Sequence, residues 1–229
     1  MKLTNISKKD LKNKSLKVII SNFRNEYISD GLNEKDMSDN PFINFENWFN
    51  DAVKNNIVEP NIMHLSTADK NGKPSGRVVL LKSFDENGFV FYTNYNSRKG
   101  TELKINNYAS LTFLWHELYR QVRIEGKVKK VSREESDEYF KSRPRGSQIS
   151  AAASAQSSIL SGREELDEIV EKLETEFKDK EVPRPENWGG YCLIPDQFEF
   201  WQGRLNRLHD RILFVQKSDK SWMMQRLFP

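Results

Sequence analysis

The sequence predicts an α+β fold, mainly β, in which an antiparallel barrel carries helices on its outside. Short apolar segments recur from Asn61 onward with polar turns between them, a spacing typical of barrels. Two of these turns end in Asn-Gly, at positions 71–72 and 87–88, and Asn-Gly favours β-hairpins. Four segments with helical signals flank the strands. We therefore expect a single domain at residues 41–229.

The composition of the 229-residue chain is that of a soluble globular protein. Its 36 basic and 33 acidic residues are spread along the chain, so no nucleic-acid partner is expected. The lysine-rich N-terminus lacks the apolar stretch of a signal peptide, and no membrane-spanning run follows, so we expect a cytoplasmic protein with no membrane partner. Cys192 is the only cysteine, which fits a reducing compartment.

The chain begins with an arm and a helix. Residues 1–40 are polar and lysine-rich, which predicts a flexible N-terminal arm able to fold over a site. Pro41 suits the first position of a helix. Apolar residues at helical spacing extend this helix to about Ile57: Phe42, Phe45, Trp48, Phe49, Ala52 and Val53. We expect this helix to pack on the core.

The remaining elements alternate between strands and capped helices. Strands are predicted at residues 61–68, 76–84, 89–94, 109–115, 119–131, 191–200, 207–216 and 222–228. Gly126 is a candidate bulge. Helices are predicted at residues 97–106, from Ser132 to the break at Pro144, and from Ser161 to about Lys178. Each of the last two begins with a capping box, in which a Glu follows the Ser by three residues.

Several common kinds of site are excluded by missing motifs. None of the 11 glycines forms a dinucleotide-binding or P-loop pattern, so a bound phosphate must be held by side chains. No nucleophile elbow is present. The three histidines, His64, His116 and His209, are far apart in sequence, and no metal site is predicted.

The segment Arg207-Leu208-His209-Asp210-Arg211 is the most informative stretch of the chain. If it is extended, Arg207, His209 and Arg211 share one face, because side chains alternate along a strand. Such a face suits an anion or an electron-rich ring, and Trp201 lies just upstream. An exposed basic strand edge that discourages aggregation has the same pattern.

Arg77 and Lys82 stand at the two ends of an apolar strand. They are five residues apart and point to opposite faces of a regular strand. Either a twist or bulge brings them to one ligand, or they serve two neighbouring sites. The alternative is that the two charges merely end a buried strand.

Tyr92 and Thr93 precede a helix start at Ser97-Arg98-Lys99. Unpaired backbone N–H groups and the helix dipole favour an anion at such a start. Positive side chains in a first turn oppose the dipole. A bound phosphate would remove this conflict, which favours a phosphate site.

A second candidate phosphate site combines Tyr139 and Arg143, four residues apart on one helix face, with the hydroxyl of Ser147. Taken alone, this motif favours a solvated basic patch of Lys141, Arg143 and Arg145. Gln121 both donates and accepts, which suits the edge of a heteroaromatic ring or a barrel-lining position. Residues 156–158 add a polar wall.

Taken together, these motifs resemble the pyridoxamine/pyridoxine 5′-phosphate oxidase family. The resemblance runs in order from about Phe42 to Pro229 and is most specific in the Trp-Gln-Gly and Arg-Leu-His-Asp-Arg segments. It implies an FMN-binding split β-barrel that forms a homodimer with FMN at the dimer interface. The FMN residues it implies are Arg77, Val78, Val79, Leu80, Leu81, Lys82, Tyr92, Thr93, Arg98, Lys99, Gln121, Gln156, Ser157, Trp201 and Arg211. The substrate residues it implies are Lys82, Tyr139, Arg143, Ser147, Arg207, Leu208 and His209.

The resemblance also implies a reaction. Pyridoxine or pyridoxamine 5′-phosphate would lose a hydride equivalent from C4′ to the flavin and become pyridoxal 5′-phosphate. O2 would reoxidise the flavin with release of H2O2, and the amine substrate would also release NH3. We expect Arg207 to give electrostatic assistance at C4′ and His209 to orient the substrate. The alternatives are another split-barrel flavoprotein, such as a flavin reductase, or a non-catalytic pyridoxal phosphate binding protein.

Some residues depart from the family pattern. Ala151-Ala152-Ala153 replaces a bulkier run, Tyr119 replaces an acidic or polar residue, and Phe228 stands at an alanine position. These changes affect packing more than the expected contacts. The segment from Arg24 to Tyr27 resembles, loosely, the family's N-terminal lid.

Overall fold

Nine strands form one antiparallel sheet in the computed structural model, which describes residues 26–229. The strands are β1 (Ile62–Ala68), β2 (Pro74–Leu80), β3 (Ser83–Asp85), β4 (Gly88–Asn94), β5 (Tyr108–Trp115), β6 (Arg120–Lys130), β7 (Trp188–Gln202), β8 (Asp210–Gln216) and β9 (Trp222–Leu227). Their order is β2-β1-β5-β6-β7-β4-β3, and β8 and β9 continue from β7. The predicted α+β class, mainly β, is confirmed.

The long strand β7 curls the sheet into a half-barrel. One side of β7 pairs with β6 along most of its length, whereas the other side pairs with β4 near its start and with β8 near its end. The register between β6 and β7 shifts at Glu125/Gly126, where the predicted bulge lies. A Cβ added at Gly126 would lie 2.0 Å from the carbonyl oxygen of Ile194, so this close approach of two backbones requires glycine.

Five helices accompany the sheet within residues 26–229: α1 (Pro41–Lys54), α2 (Arg98–Ile105), α3 (Arg133–Ser142), α4 (Arg145–Ala153) and α5 (Arg163–Glu176). The side chain of Asn40 caps α1 by accepting from the amide of Phe42, and Pro41 takes the first helical position. Phe45, on the inner face of α1, is fully buried and packs edge-to-face on Phe89 and Phe113. Within residues 26–229, no helix has the length and apolarity needed to cross a bilayer.

The structure corrects three of the predicted element boundaries. The strand predicted at 76–84 is interrupted at Leu81 and Lys82, which separate β2 from β3. The strand predicted at 207–216 begins only at Asp210, because Asn206 and Arg207 have left-handed backbone angles, with φ of 56° and 61°. The capping box of Ser161 with Glu164 is wrong, since Gly162 precedes α5 and Ser161 bonds Glu165 instead.

The polar stretch between the last two predicted helices contains α4, which the sequence pattern did not predict. The capping box of Ser132 with Glu135 is confirmed by a 3.0 Å hydrogen bond from the Glu135 amide to the Ser132 hydroxyl. After Ser142 the chain turns at Pro144 and continues directly into α4. These consecutive helices form one side of the cavity described below.

The described part of the N-terminal arm, residues 26–40, lies against the end of β7 and the start of β8. The Ser29 hydroxyl donates to the Gly203 carbonyl at 2.7 Å, and the Leu32 amide donates to Asp210 at 2.9 Å. Arg226 of β9 donates to Glu34 and to Asp210. Arg24, the first residue of the proposed lid match, lies outside the described residues.

Candidate functional site

A cavity of about 990 Å³ opens between the β2 and β4 strands and the helices α3, α4 and α5. Twelve predicted site residues line it: Arg77, Val78, Val79, Leu80, Lys82, Tyr92, Thr93, Lys99, Tyr139, Arg143, Ser147 and Gln156. Cavities of this size hold cofactors or drug-sized ligands. Most of the predicted flavin residues and all four predicted substrate-phosphate residues are therefore gathered around one space.

The break between β2 and β3 explains how Arg77 and Lys82 reach the same cavity. The Leu81 amide donates to the Asn61 carbonyl and the Lys82 amide donates to the Val90 carbonyl, so the chain leaves β2 and changes pairing partner here. The alternation of side chains is interrupted by this irregularity. Arg77 and Lys82, which would point to opposite faces of a regular strand, can therefore both line the cavity. The side chain of Leu81 itself is buried in the core.

Cationic groups converge at the end of β4. The Lys99 ammonium donates to Gln156 Oε1 at 2.9 Å and to Thr93 Oγ1 at 3.2 Å. Burial lowers the pKa of Lys99, and the nearby Arg77 guanidinium lowers it further. Two neighbouring positive charges of this kind are stabilised by an anion. This corner is the strongest candidate for a phosphate site.

Three aromatic residues also line the cavity: Tyr92, Tyr139 and Trp188. The rings of Tyr92 and Tyr139 are stacked with centroids 3.8 Å apart, and Trp188 lies parallel to Tyr92 at 5.5 Å. The Arg143 guanidinium lies over Trp188, 4.6 Å from the ring centroid. Burial lowers the pKa of Arg143, and within residues 26–229 its buried Nη1 has no hydrogen-bond partner. A buried guanidinium nitrogen without a partner is costly, and an anionic ligand would satisfy it.

A second cluster lies at the other end of β7. The rings of Trp201 and His209 have centroids 4.6 Å apart, and Tyr27 of the arm packs on both. The Arg204 amide donates to His209 Nδ1 at 3.1 Å, so in the neutral ring the proton is on Nε2. Burial lowers the pKa of His209, and Arg207 lowers it further, which favours the neutral ring. Gln121 and Trp201 line a neighbouring pocket of about 240 Å³.

The predicted common face of Arg207, His209 and Arg211 is wrong. Arg207 belongs to a short 3-10 turn and Leu208 is exposed, so only Arg211 lies on the regular part of β8. The left-handed backbone at Arg207 turns the chain before the strand begins. Arg211 instead donates to the buried carboxylate of Glu199, at 2.7 Å from Nε to Oε1.

The two clusters do not meet within one chain. Trp188 lines the large cavity at the first residue of β7, whereas Trp201 is one residue from its end, with about 40 Å of extended strand between them. None of the predicted residues of the second cluster lines the large cavity: Gln121, Trp201, Arg207, Leu208, His209 and Arg211. Arg98 and Ser157 are exposed beside the cavity rather than among its lining residues.

Sequence reasoning missed two buried carboxylates that hold predicted site arginines. Glu102 contacts Arg77 and Arg98, and Glu199 contacts Arg123 and Arg211. Arg98 and Glu102 are four residues apart, a spacing that predicts a salt bridge on one helix face, so Glu102 could have been identified from the sequence. Glu199 carries no such local signal, since its partners come from neighbouring strands. The lining of the cavity by α5, through Arg163, Leu166 and Val170, was also missed.

Two family models match the chain. One, described as pyridoxamine 5′-phosphate oxidase, matches residues 49–176. The other, described as the pyridoxine 5′-phosphate oxidase C-terminal dimerisation region, matches residues 188–229. Together they cover the large cavity and the second cluster.

Relatives named pyridoxine/pyridoxamine 5′-phosphate oxidase are similar over most of the chain. The relative from Nostoc sp. (strain PCC 7120) is 50% identical over 210 residues, which is 92% of this chain and 98% of the relative. The relative from Paraburkholderia phytofirmans is 49% identical over 211 residues, 92% of this chain and 99% of its own. The similarity therefore extends over nearly the full length of both relatives.

Two solved structures resemble the fold. PhzG from Burkholderia lata 383, in complex with tetrahydrophenazine-1-carboxylic acid, has a TM-score of 0.82 at 31% identity and covers 87% of this chain and 98% of its own. A pyridoxamine 5′-phosphate oxidase-related, FMN-binding protein from Nostoc punctiforme PCC 73102 has a TM-score of 0.67 at 15% identity and covers 83% and 98%. The second likeness shows the fold alone, which is that of a split barrel.

Proposed function

The chain belongs to the pyridoxamine 5′-phosphate oxidase family, and from this we propose that it is an FMN-dependent oxidase producing pyridoxal 5′-phosphate. Pyridoxine 5′-phosphate and O2 would give pyridoxal 5′-phosphate and H2O2. Pyridoxamine 5′-phosphate, O2 and water would give the same products with NH3. FMN would supply the two-electron chemistry when bound.

The buried Nη1 of Arg143, which has no partner within residues 26–229, is the observation that carries this proposal. The Arg143 side chain lines a cavity whose other lining residues include Lys82, Tyr139 and Ser147. This donor set matches a phosphate monoester, which offers several acceptor oxygens. The stacked Tyr92, Tyr139 and Trp188 rings form an apolar wall beside it.

The residues around the end of β4 fit the phosphate of FMN. The positive charge of Arg77 lies close enough to lower the pKa of Lys99, and a phosphate would relieve this repulsion. Thr93 and Gln156 add polar groups at 3.2 and 2.9 Å from Lys99 Nζ. We infer that this corner holds the cofactor phosphate while Arg143 holds the substrate phosphate. Lys82 lines the same cavity.

We propose that the active site is completed by a second copy of the chain. The large cavity and the Trp201–His209 cluster lie at opposite ends of β7, and the C-terminal residues 188–229 match a dimerisation region. In a two-fold dimer every contact between the chains occurs twice, so if one end of β7 faces the other end on the partner, two equivalent sites result. Arg207 and His209 would then meet the substrate ring, and Gln121, Trp201 and Arg211 the flavin, across the interface.

Within this site the chain's own groups orient the reactants. The neutral His209 offers its Nε2–H as a donor to the substrate, because Nδ1 already accepts the Arg204 amide. Arg207, exposed beside it, would stabilise negative charge that develops on the substrate. The Tyr27 ring over Trp201 and His209 would limit water at the reacting atoms.

The test is an aerobic assay on the purified full chain reconstituted with FMN. We expect a yellow protein and one H2O2 for each pyridoxal 5′-phosphate formed from pyridoxine 5′-phosphate. Unphosphorylated pyridoxine should react at least about 100-fold less efficiently, because Arg143 and Lys82 then lack their anion. A protein that takes up no FMN, or that oxidises NADPH but neither phosphorylated vitamer, contradicts the proposal.

A tricyclic carboxylic acid of the type bound by PhzG makes a useful comparison substrate. It carries a carboxylate but no phosphate. Preferred turnover of a dihydro form of such a compound over the phosphorylated vitamers would show that Arg143 does not select a phosphate here.

A further inference from the structure

A buried carboxylate joins two of the arginines expected to contact FMN. Glu102 is 5% exposed and points from α2 toward β1 and β2. Its Oε2 accepts from Thr67 at 2.5 Å, from Ser75 at 2.6 Å and from Arg77 Nη2 at 3.3 Å. Its Oε1 accepts from Arg98 Nε at 2.9 Å. The overall reaction above requires no role for this group.

The surroundings keep Glu102 ionised. Burial alone would raise its pKa, but hydrogen bonds from Ser75, Thr67, Arg98 and Arg77 outweigh burial and lower the pKa to about 2. Every contact to the carboxylate comes from a donor. The charge is therefore permanent at neutral pH and available to hold both guanidinium groups.

Glu102 acts differently on the two arginines. Arg77 is also held by the Leu65 carbonyl at 3.2 Å and by two hydroxyls, each of which donates onward to Glu102. Arg98 has 58% of its side chain exposed, and in the described part of the chain its guanidinium bonds only Glu102. Loss of the carboxylate would free Arg98 and loosen the hydroxyl bridge to Arg77.

We propose that Glu102 is a positioning residue, which holds Arg77 and Arg98 in the orientation that receives the cofactor phosphate. This inference rests on the proposed FMN site. The negative charge of Glu102 by itself repels a phosphate and weakens FMN binding. Its positioning of the two arginines strengthens FMN binding, so the two effects oppose each other. Preorganised donors lose less side-chain entropy when the anion binds. We infer that this gain exceeds the repulsion.

Glu102→Gln is the most informative variant, because it keeps the shape and removes the charge. In Glu102, Oε2 accepts hydrogen bonds from Thr67, Ser75 and Arg77. The single amide oxygen of Gln takes this position only if its NH2 group faces Arg98, which is also a donor. Arg98 is then released. If positioning dominates, the Kd for FMN rises roughly 10- to 100-fold, the range seen when partners that orient ligand groups are removed.

Riboflavin lacks the phosphate, so comparing its affinity with that of FMN isolates the effect on phosphate binding. A purely structural role of Glu102 would change both affinities alike. Titrations of the full-length apoprotein followed by flavin fluorescence give the Kd for FMN and for riboflavin. In Glu102→Gln we expect the Kd for FMN to rise relative to the Kd for riboflavin, while the riboflavin Kd itself stays within about twofold of wild type. Asp51→Asn is the matched control, because Asp51 pairs at 2.8 Å with Arg120, which lies outside the cofactor set.

The outcomes separate this inference from the proposed function. A wild-type chain that binds FMN no more tightly than riboflavin overturns the proposed phosphate site itself. A wild-type chain that prefers FMN, with an unchanged or tighter FMN Kd in Glu102→Gln, overturns the positioning role alone. Equal weakening of both flavins also overturns it, since the effect is then not directed at the phosphate.

If Glu102→Gln does not fold, Ser75→Ala decides the question. Ser75 is on the edge strand β2, donates to Glu102 and accepts from Arg77 at 2.5 Å. Its removal breaks one bridge while leaving the carboxylate charge in place. We expect a smaller rise in the FMN Kd, about threefold, with riboflavin unaffected. No change in the FMN Kd contradicts the proposal.

Discussion

Arg143 is the side chain to which the proposed function gives the selection of a phosphorylated substrate. It reaches the cavity from the C-terminal end of α3, over the face of Trp188, and one of its buried nitrogens has no partner within residues 26–229. The group proposed to recognise the substrate phosphate is therefore a guanidinium that Trp188 holds in place and that lacks one hydrogen-bond partner.

We predict that Arg143→Ala raises KM for pyridoxine 5′-phosphate by about 30- to 100-fold, the loss expected for charge-assisted hydrogen bonds. The Kd for FMN should change little, because Lys99 and Arg77 remain. Steady-state kinetics and a flavin titration measure the two effects. Arg145→Ala is the control, since exposed Arg145 donates to the Lys180 and Phe177 carbonyls away from the cavity. An unaltered KM in Arg143→Ala contradicts this assignment.

The lowered pKa of Glu102 predicts how the free energy of unfolding depends on pH. Its folded-state pKa of about 2 is below the ordinary 4.5, so its stabilising contribution is present above pH 4.5 and is lost as the pH falls through 2. Between pH 7 and 2.5 the wild type should lose about 2 kcal/mol more unfolding free energy than Glu102→Gln. Urea denaturation at both pH values measures this difference. Parallel losses in the two proteins would show that Glu102 already titrates normally.

At the scale of elements, the bulge between β6 and β7 allows the sheet to curl. Gly126 faces the backbone of Ile194 so closely that no side chain fits. The sequence identified this glycine, and the register shift confirms the bulge. The curl turns the two ends of β7 toward different surroundings, which is why one strand contributes to both clusters.

We predict that Gly126→Ala destabilises the fold by about 2–4 kcal/mol, because the new Cβ must displace backbone rather than a flexible side chain. Thermal unfolding measures this loss. Gly146→Ala in α4 is the matched control, since a Cβ there meets nothing within 4 Å and should stabilise the helix by up to about 1 kcal/mol. Equal Tm values for the two variants would mean that the sheet accommodates a side chain at the bulge.

At the scale of the whole molecule, the proposed site requires two chains. We predict that Arg143→Ala and Arg207→Ala are each poorly active alone at low substrate concentration, but partly restore activity when co-expressed. Half of a random mixture is mixed dimer, and each mixed dimer has one intact site of two, so about a quarter of wild-type activity is expected. A site formed within a single chain would give no recovery. Gel filtration of each variant checks that dimers still form.

The sequence by itself determined the class of fold and most of the large cavity. Apolar periodicity and Asn-Gly turns are local signals, and they identified the strands around the cavity with boundaries correct to within a few residues. The cavity residues from Arg77 to Ser147 were predicted from short motifs and a family resemblance, and the structure gathers them around one space. Their roles with FMN and substrate stay predictions.

Only the tertiary structure decided how these groups are held and where the rest of the site lies. Left-handed backbone at Arg207, set by the turn before β8, removed it from the expected strand face. The contact of Glu102 with Ser75 and the contact of Glu199 with Arg123 each join elements distant in sequence. Such long-range contacts depend on packing and register rather than on local propensity, so the pattern of residues along the chain does not contain them.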